Sequence, residues 1–284
     1  MTPRVLDHAD HRRDLGGNLH VYAVVSRRAR GLSIGVNLNA DKVCNFDCPY
    51  CQVDRTTPGG SADVDLRALE RELSVLLGWV RDGTLWAHAP FDTAAPEHRR
   101  VADIAFAGDG EPTSARAFPE AVALVRCVRD AMLGEGGGAL PPLRLLTNGT
   151  LLHRERVRAS LPGFDEVWFK LDAGTEAYFR VVDGTTFPFE RILRNLRALA
   201  QARPVVVQSM FLTLDGEGPT DAEVAAWAAR LAEVRAAGGN IDRVQVYSVA
   251  RTPSDLRVGP LPRARLEQVA DAARAEGLVV EVHG

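Results

Sequence analysis

An α/β fold, a partial (β/α)6 TIM-like barrel of parallel strands, is what this sequence predicts. Three observations carry the expectation. Short apolar runs alternate with amphipathic runs of helical period from about residue 32 to the end, and that alternation implies a parallel sheet with right-handed crossovers. Six or seven such units can be read, too few for a complete eight-stranded barrel. No stretch is long or polar enough to be a linker, so the expected organisation is an N-terminal extension over 1–30 with an edge strand and one barrel domain over 31–284.

The elements follow in order. Residues 19–25 read as a short strand of the edge type, and 32–38 alternate as a strand should. Thr56, Thr57, Pro58, Gly59 and Gly60 break the chain. A helix is expected over about 64–81, with Leu66, Leu69, Leu73, Leu76 and Leu77 on one face. Residues 87–100 hold Pro90 and Pro96 and show no period, so a loop is expected. Strand 101–107 then precedes helix 117–133, and a turn rich in Gly and Pro spans 134–142. Strand 143–147 precedes a short helix near 153–160, and strand 165–171 precedes helices near 175–181 and 188–202. Strand 204–212 precedes helix 220–237, strand 241–248 precedes helix 263–276, and strand 278–282 ends the series. In barrels of this kind chemistry gathers at the C-terminal ends of the strands, so the informative residues should stand just after them.

They do. After the 32–38 strand come Cys44, Cys48 and Cys51, spaced C-x3-C-x2-C. Three thiolates so spaced can ligate three irons of a [4Fe-4S] cluster, leaving the fourth iron open to a ligand. A structural zinc site is the competing reading, but it needs four ligands, commonly in two pairs. Here the fourth cysteine is the remote Cys127, and no histidine stands near the triplet. Crowded thiols without an apolar signal stretch over residues 1–10 point to a reducing, cytoplasmic setting and away from disulfides. Cys127 itself is expected as a buried small hydrophobe in helix 117–133.

After the 101–107 strand stand Gly108, Asp109, Gly110 and Glu111. Glycines let a backbone approach a ligand closely, and a carboxylate among carbonyls can hold an ammonium group. Thr147, Asn148 and Gly149 follow the next strand, as a polar ligand contact or as an Asn-Gly turn. Lys170 and Asp172 take alternate positions at the end of the 165–171 strand and can face one interior. They read equally as a ligand contact and as an ion pair at the rim. Gln208 and Ser209 interrupt an apolar run, so one of them should face inward, and Tyr247 precedes Arg251 at the end of the 241–248 strand.

Charge and composition limit the partners. The 284 residues are 46% hydrophobic and 25% charged, an ordinary globular mixture, and the net charge of −3 gives no general attraction to nucleic acid. No run is apolar enough for a membrane span. The first thirty residues are locally basic, with Arg4, Arg12, Arg13, Arg27, Arg28 and Arg30 against Asp7, Asp10 and Asp14. Of the 34 basic residues only Lys42 and Lys170 are lysines. In so arginine-rich a chain a lysine can mark a place where a compact ammonium is needed and a guanidinium fork would not fit.

The cysteine spacing, with an aromatic just before the last cysteine, resembles the signature of the radical S-adenosylmethionine (radical SAM) superfamily. Within it, the sequence around Gly108–Thr113, Trp168–Gly174 and Val246–Pro253 looks like the uncharacterised bacterial relatives of the wyosine-tRNA synthases. The resemblance spans roughly residues 32–282. It implies a [4Fe-4S] cluster on Cys44, Cys48 and Cys51, reductive cleavage of SAM to methionine and a 5′-deoxyadenosyl radical, and hydrogen-atom abstraction from a substrate. It implies that Asp109, Gly110 and Glu111 stand where a Gly-Gly-Glu motif binds the SAM amino group, with Asp109 replacing the first glycine and Gly108 preceding it. Tyr50 would line the adenine pocket, Asn148 the ribose or carboxylate, and Tyr247 the adenine. Lys170, Asp172 and Gln208 would complete the cofactor site. A one-electron donor such as flavodoxin or ferredoxin is the implied partner. No cysteine precedes Cys44 and none follows Cys127. That separates the chain from wyosine synthases with a second cluster and from peptide-modifying relatives with auxiliary ones. Three outcomes stay open: an enzyme acting on a nucleoside or RNA, an enzyme acting on a small molecule or activating a glycyl radical protein, and a non-enzymatic Fe–S or zinc redox sensor.

Overall fold

The computed structural model describes residues 5–7, 15–134, 139–251, 253 and 255–283. Arg4, Arg12, Arg13, Asp10, Asp14, Thr252 and part of the Gly-rich turn lie outside the described residues. The chain divides into two compact units, the first made of Met1–Val43, Pro58–Leu145 and Glu155–Asp165, the second of Cys44–Thr57, Leu146–Arg154 and Glu166–Gly284.

The first unit contains β1 (Val21–Ser26), β2 (Gly31–Val36), α1 (Leu66–Arg81), β3 (Val101–Phe106), α2 (Phe118–Leu133), the start of β4 (Leu143–Thr147) and α3 (Glu155–Ser160). Its strands lie in the order β1-β2-β3-β4. β1 runs antiparallel to β2, from Val21 opposite Val36 to Ser26 opposite Gly31, and the other pairings are parallel. Every residue of β2 is buried, as expected of a strand covered on both faces. α1 begins after Asp65, whose carboxylate accepts from the amides of Arg67 and Ala68. Leu69, Leu73, Leu76 and Leu77 of α1 are buried, and each such side chain contributes about 1.5–3 kcal/mol when fully removed from water. Leu66, expected on the same face, is only half-buried in the first turn. The expected loop over 87–100 holds short 3-10 turns at Leu85–Ala87, Phe91–Thr93 and Pro96–His98.

The second unit contains β5 (Glu166–Lys170), α4 (Glu176–Val182), α5 (Phe189–Ala202), β6 (Val205–Met210), β7 (Leu212–Leu214), α6 (Asp221–Ala236), β8 (Ile241–Tyr247), β9 (Val258–Pro260), α7 (Arg263–Ala275) and β10 (Val280–His283). The order β5-β6-β8-β10 is parallel throughout. β7 and β9 form a separate antiparallel pair that the sequence pattern does not announce. The expected strand 204–212 therefore stops at Met210. At the next residue the Phe211 amide donates to the Tyr247 carbonyl, and Leu212 pairs with Pro260. One register row crosses the four parallel strands: Lys170, Gln208, Gln245 and Glu281. Residues in register share a face, and here the side chains bond along the row. Gln208 Nε2 donates to Gln245 Oε1 at 2.9 Å, and Gln245 Nε2 donates to Glu281 Oε2 at 3.1 Å.

No helix among the described residues is long and apolar enough to cross a membrane. Cys127 corrects an expectation: it is exposed. The buried side of α2 is built from Phe118, Ala121, Val122, Val125 and Val128, and Cys127 falls on the other side.

Candidate functional site

The cysteine loop belongs to the second unit. Cys44, Cys48 and Cys51 are reduced and half-buried, and the Cys51 amide donates to the Cys48 carbonyl at 2.9 Å, closing a tight turn. Two other segments of the same unit hold the loop. Asn45 Nδ2 donates to Thr150 Oγ1 at 2.6 Å, Asn148 Nδ2 donates to Asn45 Oδ1 at 2.7 Å, and Thr150 Oγ1 donates to Asn148 Oδ1 at 2.7 Å. These three bonds close a ring. Asn195, buried on α5, fixes the turn beneath by donating to the Gly149 carbonyl at 2.7 Å. From the other side Thr185 Oγ1 donates to the Asn45 carbonyl at 3.3 Å, and the Asp47 amide donates to the Gly184 carbonyl at 3.3 Å. Gly184 has φ +57°, and a Cβ there would collide with the Asp47 carbonyl. The approach requires glycine.

Under the loop sits a buried charged cluster. Lys170 Nζ lies 2.9 Å from Asp172 Oδ2 and contacts Asp183 Oδ1. Its ammonium also lies 5.1 Å from the Phe46 ring centroid and 5.2 Å from that of Tyr50, within cation–π range. Tyr50 Oη donates to Asp172 Oδ2, and Asp172 Oδ1 accepts from the Met210 amide at 2.9 Å. Asp183 Oδ1 also accepts from Cys48 Sγ at 3.9 Å. Asp172 and Asp183 are each about 1% exposed. Burial pushes the Cys48 thiol up to about 11, with Lys170 opposing and Asp172 adding. Burial, then Asp172, hold the Tyr50 phenol well above its ordinary value. Burial works against the Lys170 ammonium, yet Asp172 and Cys48 together raise its pKa.

Four of the expected cofactor and metal residues therefore meet here: Tyr50, Lys170, Asp172 and Cys48. Asp183 joins them without a signal in the sequence beyond its carboxylate. Gln208 is bonded to Gln245, while Ser209, on the opposite face, donates to the Leu171 carbonyl at 2.6 Å and accepts from Trp227 Nε1 at 3.0 Å. Both residues are buried because both faces of β6 are covered. Tyr247 is buried at the end of β8.

Gly108, Asp109, Gly110 and Glu111 lie in the first unit. Asn37 organises this turn: its Oδ1 accepts from the Asp109 amide at 3.0 Å, and its Nδ2 donates to Asp109 Oδ2 at 2.7 Å. A Cβ on Gly110 would collide with the Val43 carbonyl and crowd Asn39. Glu111 is 3% exposed, and its Oε1 accepts from Thr113 Oγ1 at 2.5 Å.

The donor set fits an iron–sulfur cluster. Three reduced thiols lie on one short loop, and Arg55 Nη2 donates to Cys51 Sγ at 3.6 Å. Each thiolate of such a cluster takes a different iron, so the sulfurs need not converge on one point.

The radical SAM superfamily profile matches residues 41–229. The chain belongs to the radical SAM superfamily. This is a family of enzymes that work with a [4Fe-4S] cluster and SAM, and Cys44, Cys48 and Cys51 carry its cysteine spacing. Among curated proteins, the chain is 28% identical over 175 residues to a protein of Brachyspira hyodysenteriae named GTPase Obg, a stretch covering 61% of this chain and 22% of that protein. Neither lysine here follows a glycine, so the Gly-Lys-Ser/Thr phosphate loop of a GTPase has no counterpart. It is also 24% identical over 250 residues to a UPF0026 protein of Helicobacter pylori, covering 87% of this chain and 71% of that one. Among solved structures, a radical SAM methyltransferase from Sphaerobacter thermophilus superposes with a TM-score of 0.61 at 16% identity, over 93% of this chain and 68% of that one. TYW1 with a lysine–pyruvate adduct bound superposes with a TM-score of 0.57 at 13% identity, over 93% and 86%. At these identities the likeness gives the fold alone, and that fold is the expected α/β partial barrel of mostly parallel strands.

Proposed function

We propose that this radical SAM enzyme uses a single cluster to make a 5′-deoxyadenosyl radical and acts on a nucleoside within RNA. The observation that carries the catalytic part is the three-cysteine loop, held on two sides by side chains of its own unit. Cys44, Cys48 and Cys51 would hold the cluster, which would supply the one electron for reductive cleavage of SAM and so for hydrogen-atom abstraction from the substrate. The protein's part is to hold, orient and exclude water. Within the second unit, Tyr50, Asn148, Gln208 and Tyr247 are the residues assigned to SAM.

The RNA reading rests on chemistry at the β1–β2 turn. Arg27, Arg28 and Arg30 stand in or beside it, and Arg100 Nη2 braces it by donating to the carbonyls of Ala29 and Arg30, both at 3.0 Å. Guanidinium groups gathered at one turn suit contact with a phosphate backbone. The lysine–pyruvate chemistry named for the TYW1 structure is not carried over to Lys170. An amine that forms such an adduct must be neutral, whereas two carboxylates hold Lys170 as the ammonium.

The test is anaerobic reconstitution, reduction with dithionite, addition of SAM and assay of 5′-deoxyadenosine, with Cys48→Ala as the control. Reductant-dependent product that vanishes in the variant supports the catalytic reading. A protein that takes up zinc and no iron would sink it. Stimulation by tRNA, and none by a panel of small molecules, supports the substrate class.

A further inference from the structure

Lys170, Asp172 and Asp183 form a charged group buried with the cysteine loop, and the obvious assignment gives them to SAM or substrate. The contacts point elsewhere. Lys170 touches the cysteine loop through the faces of Phe46 and Tyr50, two residues that lie between or beside the ligand cysteines. A single oxygen, Asp183 Oδ1, receives both the Lys170 ammonium and the Cys48 thiol. Once Cys48 ligates iron its proton is gone. The Asp183 carboxylate then faces an anionic sulfur in a buried site, where like charges repel strongly. Lys170 is the cation in place to offset that repulsion. Its position also gives a reason for a lysine here in an arginine-rich chain. A compact ammonium fits between two carboxylates and two rings, and a planar fork would need more room.

We propose that Lys170 and Asp183 are positioning residues that act through Cys48 to set the iron–sulfur cluster's reduction potential, Lys170 offsetting the charge that Asp183 places beside the ligand sulfur, and that they do not bind SAM. Net charge and contacts to the ligand sulfurs are the levers by which a protein tunes such a potential. Removing the cation makes the surroundings more negative and the cluster harder to reduce. Removing the carboxylate does the opposite. The inference rests on the cluster assignment, so the wild-type chain is measured alongside every variant.

The experiment is a redox titration, followed by electron paramagnetic resonance, of the reconstituted full chain without SAM or substrate. Iron per chain and SAM affinity are measured on the same samples. Lys170→Met is expected to shift the potential to more negative values and lower the iron content. Asp183→Asn is expected to shift it to more positive values. Both should bind SAM within about threefold of wild type, under 1 kcal/mol. Should Lys170→Met fail to fold, judged by circular dichroism, the sign of the Asp183→Asn shift decides. Wild-type potentials in the variants, or a positive-going shift absent from Asp183→Asn, overturn the proposal. Loss of SAM affinity by tenfold or more at unchanged potential overturns it in favour of a cofactor contact. A wild-type chain that takes up no iron overturns the cluster assignment itself, an outcome distinct from the other two.

Discussion

Gly184 shows how much of the site depends on single residues. Its positive φ and its contact with the Asp47 carbonyl fix one side of the cysteine loop. Gly184→Ala must either strain the backbone or push the loop away, a cost of about 1–3 kcal/mol. The expected result is a lower thermal midpoint together with a lower iron content, measured on the same preparation. Full iron at wild-type stability would show that the loop finds another seat. The sequence made the cysteines legible, because their spacing is local. It gave no sign of Gly184, Asp183 or Asn45 as partners, because those bonds join residues 103 to 140 apart. Nor did it show that the Asn148 amide is engaged by Asn45, since Asn-Gly after a strand is common as a plain turn.

Among the elements, α6 carries a connection of the same long-range kind. Thr220 caps it by accepting from the Glu223 amide. Glu223, 6% exposed, reaches past the helix to accept from the amides of Gly174 and Thr175 and from Thr175 Oγ1 at 2.6 Å. This anchors the segment that follows Asp172. Glu223→Ala leaves buried donors without partners, and the expected loss is about 2–3 kcal/mol, read from urea denaturation. A loss below about 0.5 kcal/mol would mean water replaces the carboxylate. In the first unit, Asp165 accepts from Arg129 at 2.7 Å and from the Leu143 amide at 2.6 Å. Burial pushes its carboxyl up, but the amide and Arg129 outweigh it and the pKa is lowered. A lowered folded value stabilises the fold above the ordinary carboxylate range, and that contribution fades as pH falls through the folded value. Asp165→Asn should therefore lose stability near neutral pH and approach wild type as the pH nears about 3; a constant difference at all pH values would refute the assignment. Helix and strand boundaries were largely legible, since apolar periods of 3.6 and 2 are local signals. β7 and β9 were not, because three residues carry no period.

For the whole molecule the net charge is −3, so RNA has to be attracted locally and against a mild overall repulsion. With the four arginines at the β1–β2 turn as the contact, log K against log salt should fall with a slope of about −2 to −3 for single-stranded RNA. Replacing Arg27 and Arg28 by alanine should flatten that slope by more than one. A slope near zero in the wild type would remove RNA from the substrate classes and leave the small-molecule reading. The fold class was legible at this scale from alternation alone, while the substrate was not, since one barrel hosts many reactions.

The exposed position of Cys127 on α2 has a practical side. An alkylating reagent should find four thiols in the metal-free chain and one in the chain whose other three sulfurs are bound to iron. Counting labels by intact mass then gives the fraction of molecules that carry a cluster, without optical or magnetic measurement. A Cys127→Ser chain should read zero in the loaded form and three in the metal-free form, which identifies the surface thiol as the constant label in the wild-type count.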